Sequence, residues 1–278
     1  MIYNKEALTF SQQLQQLKDR GLIVDSDSKA LKYLENISYY RLEGYWWPLQ
    51  DNKEAHTFKE GSTFQKVIQL YNFDAEIRIL IFSVIEKIEI SLRTKLVYHM
   101  SHKHGPWWFQ NTTLFKDTPA LIKTLEKLRE EVARSKEVYM KEHRKKYKDD
   151  KRFPPAWKTL ELTSFGGLSK LYGNINNADK LKDTIAKEFG AVNHTFLPSW
   201  LQAIAQIRNI CAHHGRLWNK NLPASVKLLP KPPNAWIIDV PQQHEFKHLY
   251  VHLCIMKYLL DTIHPKNKMA KNLSLIHI

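Results

Sequence analysis

Between Gly61 and Gly105 the chain contains neither glycine nor proline, and Val67, Leu70, Tyr71, Ile77, Ile81, Val84, Ile85, Ile88 and Leu92 recur through it at spacings of three and four. An α-helix gathers residues so spaced onto one face, whereas a strand would scatter them to both sides. The pattern predicts a helix from Thr63 to Met100. Such a helix would extend roughly 57 Å at about 1.5 Å per residue, a length at which bends and breaks are common. Whatever else the chain does, its core must be laid along this rod.

The neighbouring segments read as helices too. Thr9 and Gln12 form a capping box, and Gly21 supplies a stop, which predicts a helix over residues 10–20. A second is expected over 28–36. The stretch SYYRLEGYWWPLQ, residues 38–50, is dense in aromatic rings. We read it as a packed cluster, with base stacking as the alternative. A second run without glycine or proline, residues 120–153, ends in KEHRKKYKDDKR, in which seven Lys or Arg face three acids. It is either a solvated helix end or a phosphate-contacting arm in which Arg144, Lys145, Lys146, Lys148, Lys151 and Arg152 bind RNA. After PPAW, the segment KTLELTSFGGLSKLYGN predicts a short helix, a turn at Ser164 and another helix; residues 199–218 predict a further one. Five prolines in 223–243 predict an extended loop. The last helix should bury Phe246, Leu249, Tyr250, Leu253, Cys254 and Leu260 on one face.

No repeat, glycine-rich phosphate loop or alternation long enough for a sheet is present, so the fold class is all-α. We divide the chain into an N-terminal helical and aromatic segment (1–60), a helical bundle (61–265) with a basic helical insertion near 118–155, and a frayed tail (266–278).

The formal charge is +14, from 42 Lys and Arg against 28 Asp and Glu. A field of that sign recruits polyanions by releasing their counterions, which favours RNA as partner without deciding the function. The N-terminal residues lack the apolar run of a signal peptide, and no stretch of about 18 apolar residues could span a membrane, so a cytoplasmic protein without a membrane partner is expected. Cys211 and Cys254 lie at apolar helical spacing, as buried thiols do.

The segment QIRNICAHHGRLWNKN, residues 206–221, concentrates basic groups. On a helical wheel Gln206, His213 and Arg216 fall within about 60° of Asn209, whereas Ile204, Ile207, Cys211 and Trp218 form an apolar stripe. His213 is then placed to meet a ligand, and His214 to pack partly buried at the edge of the stripe. Arg208 lies about 140° from His213, so the two converge on one substrate atom only if Arg208 bends round or if two copies of the helix meet. A pooled pair of histidines and arginines suits RNA cleavage. Imidazole can take the proton of a ribose 2′-OH, and guanidinium can stabilise charge on the adjacent phosphate, giving a 2′,3′-cyclic phosphate and a 5′-OH without a metal. Composition alone is equally compatible with an amphipathic helix that has a polar rim.

RNICAHHGRLWN resembles the Arg-x4-His signature of the HEPN superfamily, in the form carried by the Abi-like proteins of bacterial abortive infection, the AbiD and AbiF group. SYYRLEGYWWPL, LYNFDAEIRILIFSVIEKIEISLRTKLVYH, GPWWF, PPAWKTLELTSFGGLSKLY and SWLQAIAQIRNICAHHGRLWN resemble the family's successive blocks in order, over about residues 36–220. The resemblance implies a HEPN-type helical bundle, a homodimer, and a cofactor-free, metal-independent endoribonuclease of phage defence or toxin type. Arg208 would bind phosphate, Asn209 would orient the histidine, and His213 would do the acid and base work. A structured small RNA could control it, and no DNA partner is implied. The alternatives are a non-catalytic HEPN module that binds RNA or protein, and a DNA-binding regulator using residues 1–60.

Glu89 and Arg93 have the spacing of an ion pair and, with Glu86, share a flank of the long helix; with His214 and Arg216 they are candidate supporting residues. His99, His102 and His104 invite a zinc reading, but the fourth ligand is missing, so no metal is expected. Glu161 reads as a capping and packing residue, with a reach into the active cleft as the alternative, and Ser164 as an N-cap.

Overall fold

The protein is described from a computed structural model over residues 6–222, 226–230, 232, 242 and 246–276. It is all-α apart from one small hairpin. Two compact units are present, Met1–Ile79 with Leu273–Ile278, and Leu80–Asn272. Their division falls inside the long helix.

The first unit opens with α1 (Phe10–Asp19), whose N-terminus carries the capping box in full, with the Thr9 side chain accepting from Gln12 N and the Gln12 side chain from Thr9 N. α1 packs on α2 (Asp27–Ile37), and α3 (Tyr39–Trp46) follows. Of the aromatic segment, Leu42, Tyr45 and Trp46 are buried while Tyr40 is exposed, which makes it chiefly a packed cluster. A hairpin of β1 (Gln50–Asn52) and β2 (Thr57–Phe58) corrects the expectation of no sheet. Its turn is built by the Asn52 Oδ1 accepting from Glu54 N and Ala55 N, and strands of three and two residues are too short to show alternation in sequence.

α4 (Phe64–His104) runs unbroken for 41 residues. Its first part places Asp74 and Arg78 against Tyr45: the carboxylate, wholly buried, accepts from Tyr45 Oη at 2.6 Å and pairs with the Arg78 guanidinium. Burial and the Asp74 hydrogen bond together push the Tyr45 hydroxyl well above the usual tyrosine range.

In the second unit the remainder of α4 buries Ile81, Val84, Ile85, Ile88, Leu92, Leu96 and Met100. The run 120–153 is not one helix but two, α5 (Thr118–Arg134) and α6 (Val138–Lys146). No glycine or proline marks the break; there Arg144 reaches back to donate to the carbonyls of Val132 (2.8 Å) and Ser135 (2.7 Å), which satisfies acceptors at the end of α5. α7 (Ala156–Thr159) and a 3-10 turn, Leu160–Leu162, lead to Ser164, whose hydroxyl accepts from Gly167 N at the start of α8 (Phe165–Asn174). α9 (Leu181–Lys187), α10 (Leu197–Ala212) and α11 (Leu249–Ile263) follow. α8 is the hub, packing on α5 and α10, and α10 packs in turn on α11.

α11 buries Leu260 as expected, but its other buried residues are Val251, His252, Ile255, Met256, Tyr258 and Leu259, whereas Phe246, Leu249, Leu253 and Cys254 are half-buried and Tyr250 is exposed, so most of the predicted face is rotated. The helix is apolar nearly all round, and period alone cannot choose its inner side. The segment after Pro265, expected to fray, includes α12 (Met269–Ser274) with Met269 buried. Most of the proline-rich stretch 223–243 lies outside the described residues; within it Val226 and Leu229 are buried. Among the described residues no helix is long and apolar enough to cross a membrane.

The C-terminus of α8 is held by a lysine. Lys182 is 1% exposed, and its Nζ donates to the carbonyls of Gly173 and Ile175, each at 2.7 Å. Burial pulls its pKa down from 10.5 to about 7. The folded state therefore releases this proton near pH 7, while the unfolded chain holds it until about pH 10.4. Across that window the unfolded state binds more protons, so this group's contribution to stability rises with pH and is least below 7. Urea midpoints measured at pH 7 and pH 9 should rise more for the native protein than for Lys182→Met, with the difference between the two curves isolating the lysine.

Candidate functional site

α10 is built to bury one side and present the other. Leu197, Trp200, Leu201, Ala203, Ile204, Ala205, Ile207 and Cys211 are buried, and Trp200 is further fixed by donating Nε1 to the Lys227 carbonyl at 2.7 Å. Asn209 and His213 are exposed at the opposite side, with Arg208 half-buried between.

The helix ends earlier than the sequence predicts. His213 is its C-cap, His214 adopts the left-handed conformation with φ +55°, and Gly215 follows. His214 N donates to Cys211 O at 3.0 Å and Gly215 N to Ile210 O at 2.8 Å, the paired bonds of a Schellman motif. The position that ordinarily takes glycine holds a histidine, at a cost on the order of 1 kcal/mol. Glycine relieves crowding one residue later, since a Cβ on Gly215 would lie 3.1 Å from the Ile210 side chain and 3.3 Å from its carbonyl. Two expectations are corrected by this turn. His214 is exposed rather than packed at the edge of an apolar stripe, and Arg216 and Trp218 lie beyond the helix, where the wheel no longer applies. Arg216 donates to Asn219 O at 3.3 Å, and Leu217, not Trp218, is the buried residue.

Arg208 lies over the Phe82 ring, 5.8 Å from its centroid. It shares an open groove of about 280 Å³ with Phe82, Ile85, Glu86, Glu89, Ile90 and Arg93. The supporting residues Glu86, Glu89 and Arg93 are thus brought to Arg208 in one groove. Arg93 pairs with Glu89 at 2.7 Å and donates to the carbonyls of Leu160 and Thr163, each at 3.0 Å, which fastens the turn before α8 to α4. Among the described residues, no hydrogen bond joins these groups to Arg208, Asn209 or His213, and the last three have no side-chain hydrogen bond of their own. Sequence reading missed Phe82 and Ile90, apolar yet 41% and 53% exposed beside Arg208. Their signal was position: both fall off the buried face of α4.

The six basic residues near the end of α6 divide in two. Arg144 serves the α5 terminus, and Arg152 pairs with Asp150 and stacks 3.8 Å over the Trp107 ring. Lys145, Lys146, Lys148 and Lys151 are exposed, with Lys146 beside the Tyr147 ring. The three histidines of the zinc reading go separate ways: His99 bonds Glu188, His104 bonds Asp179, and His102 meets the Tyr98 ring edge-on. Among the described residues no group of His, Cys, Asp or Glu could hold a metal. Glu161 lies 3.9 Å from Arg93, and both cysteines are thiols rather than halves of a disulfide, Cys211 buried and Cys254 half-buried.

Fold and site together define a helical protein whose tenth helix ends in an Arg-x4-His segment with a half-buried arginine and an exposed histidine. The chain belongs to the Abi-like protein family, whose description matches residues 32–219. No curated protein and no solved structure matches it.

Proposed function

We propose that the protein is a metal-independent endoribonuclease of the HEPN type, of the AbiD/AbiF group, acting as a homodimer in the cytoplasm in abortive infection or as a toxin. The observation that carries this reading is the end of α10, where Arg208, Asn209 and His213 stand at the surface beside a residue in strained left-handed conformation. Strain of this kind persists where the surrounding structure enforces it, and it gathers at sites of chemistry. Membership of the Abi-like family supports the abortive-infection role. Arg208 and His213 project from one helix at different angles, so a single copy does not surround a phosphodiester. Two copies meeting through the Phe82 and Ile90 side of α4, where Arg208 lies, would bring both arginines to one cleft, and the reading requires the same contact to draw in both His213 side chains.

In that cleft His213 takes the ribose 2′-OH proton, Asn209 steadies the imidazole, and Arg208 binds the phosphate on which charge develops. The 2′-oxygen attacks the adjacent phosphorus and the 5′-oxygen leaves with a proton, so RNA is cut and DNA is not. The exposed lysines at and beyond the end of α6, Lys145, Lys146, Lys148 and Lys151, supply long-range attraction to substrate or to a regulatory small RNA. The expected result is that purified protein cuts RNA in EDTA and leaves 2′,3′-cyclic phosphate and 5′-OH ends, read by end-specific labelling. Ends of any other chemistry, or cutting that EDTA stops, sink the proposal.

A further inference from the structure

A second groove in the same unit has the composition of a nucleobase platform. It is open, about 540 Å³, and lined by Arg93, Tyr98, His102, Pro106, Trp157 and Glu161 among others. That volume lies in the about 300–1,000 Å³ range of small-ligand sites. Trp157 is 50% exposed and Tyr98 58%, two large rings left in water on one groove. The backbone around Trp157 is also anchored. Trp157 follows Pro154 and Pro155, Ala156 N donates to Pro106 O at 2.8 Å, and the Thr159 hydroxyl donates to Pro154 O at 2.6 Å. A backbone anchored in this way has little freedom left to lose when a ligand stacks on the ring it carries. Ser101, also in the lining, has a hydroxyl without a hydrogen-bond partner among the described residues.

Position relative to charge identifies the ligand. Arg93 lines this groove and also the one that holds Arg208. Lys158, next to Trp157 in the chain, has its Nζ 3.5 Å from the His143 ring of the basic helix α6. Aromatic platforms flanked by basic groups along one path are how single-stranded nucleic acid is held without sequence readout. We propose that Tyr98 and Trp157 form a base-stacking subsite for single-stranded RNA, joined to the Arg208 groove through Arg93. The subsite deepens the reading of the protein as one that acts on RNA. It positions the strand and takes no part in bond breaking.

The test uses the full chain carrying His213→Ala, with fluorescent oligoadenylate and an abasic oligonucleotide of equal length as probes. Trp157→Ala should weaken oligoadenylate binding by about 5- to 150-fold, the range of one lost base stack. Trp157→Phe should retain most of the affinity, and the abasic strand, which meets only charge, should bind all variants alike. Unchanged oligoadenylate binding by Trp157→Ala overturns the subsite. So does an equal loss for the abasic strand, a parent that binds neither probe, or a change in molecular mass in solution, which would assign the rings to contact between copies. The two readings fail separately. Trp157-dependent binding by a protein that cuts nothing leaves the subsite and removes the nuclease; cutting with no Trp157 dependence does the reverse.

Discussion

His213→Ala is expected to lower RNA cleavage by at least about 10²- to 10⁴-fold, the contribution of a general acid or base placed at the reacting oxygen. The side chain is exposed and makes no hydrogen bond among the described residues, so its truncation opens no cavity. Stability should stay within about 0.5 kcal/mol of the native protein, as for other surface substitutions. Arg208→Ala should lower cleavage by about 10²- to 10³-fold, the cost of one transition-state donor, and should also weaken substrate binding. Cleavage rates and thermal melts measured together settle the matter. A His213→Ala protein that cuts at the native rate with a native melt removes the residue from the chemistry. Mixing the two variants gives a further check on the dimer, because each mixed pair would retain one native copy of each side chain.

How far the sequence could be read depended on whether structure was set locally. α1 and α8 begin where Thr9 and Ser164 offer their oxygens, and α4 lies where its period of three and four demands. The all-α class followed from such local signals. The features that escaped depend on distant or backbone events. The break between α5 and α6 is capped by Arg144 reaching back nine and twelve residues, and no glycine or proline marks it. α11 is apolar on too many sides for its pattern to show which faces inward. At the candidate site, residue types were legible, but the helix end was not, because a histidine occupies the left-handed position where glycine is the usual sign. One missed turn moved His214 from packed to exposed and took Arg216 and Trp218 off the helix. The shared flank of Glu86, Glu89 and Arg93 suggests a common role, but their meeting with Arg208 in one groove needs the packing of two helices far apart in sequence, which no local pattern encodes.

The largest loss of stability is expected not near the site but at Asp74→Asn. The substitution keeps the shape and removes the charge from a carboxylate that is 0% exposed and faces Arg78, itself 8% exposed. Within the protein interior the guanidinium cannot recover by hydration what it loses in pairing. Removing one partner of a buried pair costs about 3–5 kcal/mol. The introduced amide oxygen would still accept from Tyr45 Oη, so the loss would report the charge rather than the hydrogen bond. A double variant, Asp74→Leu with Arg78→Met, replaces both charges by apolar groups and should recover part of the deficit, because it leaves no buried charge behind. Urea unfolding followed by far-ultraviolet circular dichroism and by tryptophan fluorescence would measure both. The protein has two compact units, so coincidence of the two probes must be checked before a single free energy is extracted. If Asp74→Asn unfolds at the native midpoint, the pair contributes nothing and Tyr45 packs without it. If the double variant is no better than the single, the cost lies in lost packing around Tyr45 and not in a stranded charge.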